Sequence, residues 1–271
     1  MAQALSPVSA SSPPSASSPV SASSPPSPVS ASSPPSRRER VRAATTEEIK
    51  ATARRILVEE GPDAVSLRGI AREMGMTAPA LYRYFDNRDE LIKHVIADIF
   101  GELTADLHAA IAAAGGDLAA KVVAAAREFR RWSLGHQREF GMLFATPLPG
   151  VNCYQDEIIT ERGGKFGNTF FELILDLWRK HPFPVPADPE IDPGLREQLG
   201  RYRDGLGEAA AGLPLGLLLI FLRCWVRLYG IVSLEVFGHL GFALDDAEPM
   251  FELMLAETAP LIGLRYPRPV S

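Results

Sequence analysis

Cysteine is scarce in this chain. Among 271 residues only Cys153 and Cys224 are cysteines, far apart and at no metal-ligand spacing. They read as free thiols in a reducing cytoplasm, and no metal or cofactor is expected. The first residues have neither a basic start nor a continuous apolar core, so they do not read as a secretory signal. The short strings of common enzymes are missing as well: no Gly-x-Ser-x-Gly, phosphate loop or dinucleotide fingerprint occurs. His136, His181 and His239 form no local motif, and His136 beside a turn reads as a satisfied structural histidine. Convincing runs of alternating β-branched residues are absent, which leaves an all-α class.

Charged and aromatic side chains are missing from residues 1–36, which are almost entirely Ser, Pro and Ala. The unit Ser-Pro-Val-Ser-Ala-Ser-Ser-Pro-Pro recurs at Ser6–Pro14, Ser18–Pro26 and Ser27–Pro35. Such a segment cannot bury enough apolar surface to offset its ordering entropy, so it is expected to be disordered with polyproline II character. Partner docking, phosphorylation, a solvated tail and an overextended gene start all fit it. Basic charge is also modest. Residues 37–100 hold 12 Lys and Arg against 11 Asp and Glu, and residues 101–271 hold 16 against 22.

What is present is concentrated in Ser66–Phe85. Ser66 can cap a helix through its hydroxyl, and Leu67, Ile70, Ala71 and Met74 recur at helical spacing. Gly75 can take the positive φ that ends it. Thr77 is a second candidate cap, with Pro79 in the first turn of a helix over 78–84. The pattern is a helix-turn-helix whose second helix enters a DNA major groove, where small side chains approach base edges and Tyr82, Arg83 and Tyr84 reach bases or phosphates. Upstream, Thr45 with Glu48 forms a capping box for a helix bearing Ile49, Ala53, Ile56 and Leu57. Arg37, Arg38, Arg40 and Arg42 precede it as a basic arm that could enter an adjacent minor groove or merely be a solvated cluster. Downstream, Asn87 with Glu90 caps a long helix through Leu91, Val95, Ile96, Ile99 and Leu103.

Ile49–Leu91 resembles the N-terminal domain of TetR/AcrR-type transcriptional regulators. The matching strings are Glu60-Gly61, Val65-Ser66-Leu67-Arg68-Gly69-Ile70-Ala71, and Ala80-Leu81-Tyr82-Arg83-Tyr84-Phe85 with Arg88 three positions on. The resemblance implies an all-helical homodimer that binds a near-palindromic double-stranded DNA operator and is released by a small molecule. With the composition it gives an expected division into a tail (1–36), a basic arm (37–43), the three-helix DNA-binding domain (44–91) and a helical effector-binding and dimerisation domain (92–271). Expected DNA contacts are Ser66, Arg68, Thr77, Ala78, Pro79, Ala80, Arg83 and Tyr84, with Arg38 and Arg40 from the arm. Tyr82 and Arg88 match family positions on the phosphate backbone.

The remainder also reads as helices: 117–135, 139–144, 156–180 with a possible break at Gly163-Gly164, 214–240 and 247–264, separated by Gly115-Gly116 and a five-proline loop over 181–193. Val122, Val123, Ala126, Phe129 and Trp132 are candidate buried positions. Two strings, Trp132–His136 with Phe140–Gly150, and Trp225–Leu240, resemble the subgroup with a Trp-His-Gly-type C-terminal domain. The apolar run from Leu213 to Leu240 is interrupted by Arg223, Arg227 and Glu235, leaving too few uncharged residues for the about 20 that span a membrane. It reads instead as a helix buried in its own subunit and against a copy. Leu228, Ile231, Leu234 and Val236, alongside Phe251, Met254 and Leu255, are the expected dimer interface. The expected effector site comprises Trp132, Phe140, Phe144, Phe171, Trp178 and Trp225, with Arg223, Arg227, Tyr229 or His136 supplying polar contacts, and suits a largely apolar ligand. Two rival readings remain: a dimer of this shape that binds a small molecule without regulating transcription, and an enzyme.

Overall fold

Ser36 caps the first helix. Its hydroxyl accepts from the Glu39 amide at 3.2 Å, and its own amide donates to the Glu39 carboxylate at 2.7 Å. This reciprocal cap starts α1 at Arg37, and the helix runs to Glu60. The expected start at Thr45 is therefore wrong. Thr45 and Thr46 lie inside the helix and donate their hydroxyls back to the carbonyls of Val41 and Arg42. The stretch 37–43, expected as a separate arm, is the first two turns of α1.

The computed structural model describes residues 36–145 and 156–266, apart from the side chain of Ala209. The repeats, Cys153 and the Thr146–Gly150 string lie outside the described residues. After α1 come α2 (Leu67–Glu73), α3 (Ala78–Leu81), α4 (Arg88–Ala113), α5 (Leu118–Gly135), α6 (Gln137–Phe144), α7 (Glu157–Lys180), α8 (Pro193–Gly205), α9 (Leu215–Val236) and α10 (Glu248–Thr258). The described residues contain no strand.

Local caps explain most boundaries. Ser66 accepts from Gly69, Asn87 from Glu90, Asp117 from Ala119, and Asp156 from Ile158 and Ile159. Thr77, like His136, Pro214 and Ala247 at the starts of α6, α9 and α10, provides no side-chain cap. Pro79 at the start of α3 leaves only backbone bonds from Ala80 and Leu81 to the Thr77 carbonyl. Accordingly α3 is shorter than the 78–84 expected and continues as a tighter turn through Tyr84, whose amide bonds the Leu81 carbonyl at 2.9 Å. The Gly163-Gly164 pair does not break α7; Gly163 faces the Phe100 ring, leaving room for close packing on α4.

Helix α8 was not anticipated. Its signals were Asp192, which accepts from the Leu195 amide at 3.1 Å, and Pro193 at the first position. The five-proline loop masked them, and α8 buries few side chains, chiefly Leu199. Helix α9 ends at Val236 rather than 240, with Gly238 at φ 69°, and α10 gives way at Ala259 to a short 3-10 turn through Ile262. At the start of α9, a Cβ on Gly216 would sit 2.1 Å from the Pro186 carbonyl oxygen, so the proline loop lies directly on the helix because residue 216 has no side chain.

One apolar core runs from Ile49 to Ile262. Helix α4 packs most on α7 and α5, and α1 docks on its N-terminal half. Hence the domain boundary expected at 91/92 falls within a single continuous helix. In the body, Phe129 is fully buried and has five ring neighbours, from Trp225 and Phe166 at 5.7 Å to Phe140 and Phe170 at 6.1 Å. Ala126 and Trp132 are buried as expected, whereas Val122 and Val123 are half-buried. Phe129→Ala removes the ring that α5, α6, α7 and α9 share. It should cost about 3–5 kcal/mol, read as a lower urea midpoint by circular dichroism, and an unchanged midpoint would deny that this cluster holds the body together.

Candidate nucleic-acid interface and effector cavity

The turn between α2 and α3 is set by Gly75, at φ 66° in the left-handed region that glycine occupies without strain. Leu67, Ile70, Ala71 and Leu81 are buried beneath it. Outward from this base, Arg68, Thr77, Pro79, Tyr82 and Arg83 are exposed, and Ala78, Ala80 and Tyr84 are half-buried. The exposed Ser66 has its hydroxyl engaged in the cap to Gly69.

Helix α1 reaches this surface. Arg42 donates to the Arg83 carbonyl at 3.2 Å and stacks over the Tyr84 ring at 5.6 Å. Arg37, Arg38, Val41 and Arg42 share one helix face and line a groove with Arg83 and Tyr84. Arg40 is exposed but lies outside the groove, on another face. The basic residues thus meet the recognition turn from a rigid helix, and no extended arm exists at 37–43. Arg88 is turned inward. Its guanidinium donates to the Pro62 carbonyl and lies 3.9 Å from Asp63 and 3.7 Å from Asp89, so it clamps the link after α1. The expected phosphate contact would need that clamp to open.

A polar seam joins this head to the body. Arg54 of α1 bonds Glu102 of α4 at 2.6 Å and Glu139 of α6 at 3.3 Å. Lys50 reaches Asp98 at 2.6 Å and Glu47 at 2.8 Å. Burial works against the charge on both cations, but these carboxylates outweigh it and raise both above their usual range. Arg138 of α6 donates to the carbonyls of Val58 and Glu59 at the end of α1. Sequence reasoning missed this seam, because its partners are up to 85 residues apart.

The body holds a cavity of about 70 Å³ between α5, α7, α9 and the segment after Leu255. Trp225 lines it; the other nine residues expected at an effector site do not. Trp132 is buried and stacks on His136, whose Nδ1 lies 3.0 Å from the Trp132 carbonyl. Phe140 and Phe144 belong to the Phe129 cluster, and the Tyr229 hydroxyl donates to the Phe144 carbonyl at 2.9 Å. Phe171 packs on Phe221, Trp178 is half-buried in the core, Arg223 is exposed and Arg227 half-buried. These aromatics are core, since they share the helix faces that close the bundle. The lining instead comes from aliphatic residues with Phe170, Phe221 and Tyr266. Cys224 also lines it, and burial pushes its thiol up to about 11.

The expected interface residues also divide. Ile231, Val236 and Phe251 are buried within the protomer, Leu228 and Leu255 line the cavity, and Met254 is half-buried. Leu234 is 41% exposed. It shares a strip with Val226, at 66%, Gly230 and Phe237, and Leu253 of α10 is also exposed. By length and composition α9 would suffice to cross a membrane, but half of that window is buried in the protein. Among the described residues no His, Cys, Asp and Glu cluster is arranged to hold a metal.

An all-helical chain with a helix-turn-helix head and a hollow helical body is the architecture of a DNA-binding regulator. The head matches the family described as bacterial regulatory proteins, tetR family, over residues 49–95, and the body matches the tetracycline-repressor-like C-terminal domain over 122–258. This chain belongs to the TetR family of transcriptional regulators. It is 28% identical over 246 residues to the HTH-type transcriptional regulator Rv1816 of Mycobacterium tuberculosis, covering 84% of this chain and 93% of that one. The crystal structure of regulatory protein SCO4313 superposes with a TM-score of 0.64 at 31% identity, covering 83% of this chain and all of that one. A TetR/AcrR regulator from Thermobifida fusca shares the fold, with a TM-score of 0.52 at 16% identity over 81% of this chain and 97% of that one.

The seam has a measurable consequence. Glu139 is 9% exposed, and Glu139→Ala leaves Arg54 with Glu102 alone. The loss should be about 1–3 kcal/mol in urea unfolding. No change would mean that Glu139 contributes nothing to holding α1.

Proposed function

We propose that this protein is a cytoplasmic homodimeric repressor that binds a near-palindromic DNA operator and releases it when the body takes up a largely apolar small molecule. The observation that carries the reading is the recognition turn flanked by the groove of Arg37, Arg38, Arg42 and Arg83. The protein is acidic overall, so long-range attraction to DNA is weak and local arginines must supply the phosphate contacts. Thr77, Ala78, Pro79 and Ala80 would lie nearest the base edges. Arg83 and Tyr84 would read bases or phosphates, Ser66, Arg68 and Tyr82 would meet the backbone, and Arg38 would track the neighbouring phosphates from α1, with Arg40 to its side. A regulator of this kind needs no catalytic residue.

The exposed strip of Val226, Gly230, Leu234 and Phe237 supports dimerisation through α9, with Leu253 bringing in α10. Pairing α9 and α10 with their copies would bury the strip, and Gly230 lets two helices approach closely. Effector binding would favour a dimer whose recognition helices no longer match the operator spacing.

Arg83→Ala should weaken operator binding by about 1–3 kcal/mol in a gel-shift titration, with relaxed sequence preference if Arg83 reads a base. Unchanged affinity and preference would remove Arg83 from the site, and a failure to shift any genomic fragment selectively would sink the regulator reading.

Leu234→Glu places a carboxylate on a side chain already open to water in the protomer, so folding should survive. In the dimer the carboxylate would be buried unpaired at a cost of several kcal/mol. Light scattering should then report a monomer with lost operator binding; a persistent dimer would put the interface elsewhere.

A further inference from the structure

The cavity in the body is too small for its proposed task. At about 70 Å³ it falls well short of the about 300–1,000 Å³ of ordinary ligand sites. Its walls are unequal. Three sides are long helices, α5, α7 and α9, packed into the core. The fourth runs from Leu255 through Ile262 to the end of the described chain, where Leu264 and Tyr266 follow Gly263 at φ 69°. This segment is fastened at Tyr266. The Tyr266 hydroxyl donates to Glu252 of α10 and accepts from Arg127 of α5 at 3.0 Å, and the Arg127 guanidinium lies 5.9 Å over the Tyr266 ring. Arg127 holds Glu252 through two further bonds at 2.9 Å.

We propose that 263–266 is a strap over the effector site, that it lifts to admit an uncharged, largely apolar molecule, and that a hydroxyl on that molecule takes over the bond from Tyr266 to Glu252. This rests on the reading of the body as an effector domain and names the ligand chemistry of that site. No charged side chain lines the cavity, so a buried ion would be unpaired there. A carboxylate at the mouth would meet Glu252, and an ammonium would compete with Arg127, which already neutralises it. A neutral donor meets neither obstacle. The strap resembles such a ligand itself: aliphatic Leu264, then the Tyr266 ring ending in one hydroxyl. Burial first, and the bond to Glu252 second, push the Tyr266 hydroxyl up to about 12, so it remains a donor near neutral pH. Burial raises the Glu252 carboxyl, but its bonds to Arg127 and Tyr266 outweigh this and keep it an ionised acceptor. Thr258, the other hydroxyl in the lining, is already spent on the Met254 carbonyl at 2.7 Å.

The test uses the full-length protein without DNA and follows tryptophan fluorescence, since Trp225 lines the cavity. Octan-1-ol should quench saturably, and octanoate and octylamine should bind at least about tenfold more weakly. Tyr266→Phe keeps the ring and removes the latch. Because a site open only part of the time binds weakly in proportion, this variant should bind octan-1-ol several-fold more tightly, with faster association in stopped flow. Truncation after Gly263 should speed association further, and circular dichroism verifies that both variants are folded. Unchanged affinity and association rate in both variants, equal binding of the three probes, or no saturable binding of octan-1-ol would each overturn the proposal. Operator shifts run without any probe separate the two readings: retained operator binding with any of those results leaves the regulator standing and removes only the strap.

Discussion

Helix α4 buries Leu91, Ile92, Val95, Ile96, Ile99, Phe100, Leu103 and Leu107 along most of its length, and these residues serve two parts of the molecule. Its first turns close the core of the head against Ile49, Ala53, Ile56 and Leu57. Its later turns are covered by α5 and α7. A three-helix head of about 50 residues buries too little surface to be robust alone, so it borrows the side of a body helix. Its orientation is then fixed by whatever fixes α4, and by the Arg54, Lys50 and Arg138 bonds that hold α1 beside it. DNA binding and packing of the body are linked through that one helix and its seam.

The same economy appears in the charges. Arg54, Arg55, Arg88, Arg127 and Arg130 all pair with carboxylates inside the protomer. Arg37, Arg38, Arg42, Arg68 and Arg83 form no ion pair among the described residues, and all five belong to the head. The head thus carries arginines without a carboxylate partner among the described residues, although the protein is acidic overall. A composition count therefore understates the head as a DNA-binding element, whereas the placement of individual arginines does not.

What could be read from sequence followed the range of the interaction. The caps at Ser66 and Asn87 and the turn at Gly75 are local and were legible, and the helices that Asp117 and Asp156 cap were placed to within a residue at their starts. Where two local signals competed the reading failed. Ser36 and Thr45 both head a plausible capping box, and the arginines between them are good helix formers, so the helix extends to the earlier cap. Thr77 has the residue type of a cap without its bond. The cavity was not legible for a different reason. Aromatic side chains suit a binding site and a core equally, and only the fold shows that Phe129, Phe140 and Phe144 face one another while the opening lies among Val122, Ile174, Leu228 and Ile262. The exposed strip on α9 was half visible. A helix apolar on most sides signals two burials, but its sequence does not say which face meets the protomer and which a copy.

The position of the cavity beside the aromatic cluster gives the proposed regulation a physical route. Trp225 and Phe170 form part of the cavity wall, and both rings lie against Phe129, at 5.7 Å and 6.1 Å. Phe129 in turn meets Phe140 and Phe144 of α6, the helix whose Arg138 and Glu139 grip α1. A close-packed core transmits displacement because rings without free volume must move together. In the proposed regulation a ligand that displaces Trp225 therefore presses on α6, and α6 holds the head only through a few polar bonds. Those bonds are directional, with partners at 2.5 to 3.3 Å, and weaken steeply with misalignment, whereas the apolar contacts of α4 tolerate small shifts. Under that proposal the seam is where a repacking of the body would become a change in the angle of α1, which the bond from Arg42 to the Arg83 carbonyl would pass to the recognition turn.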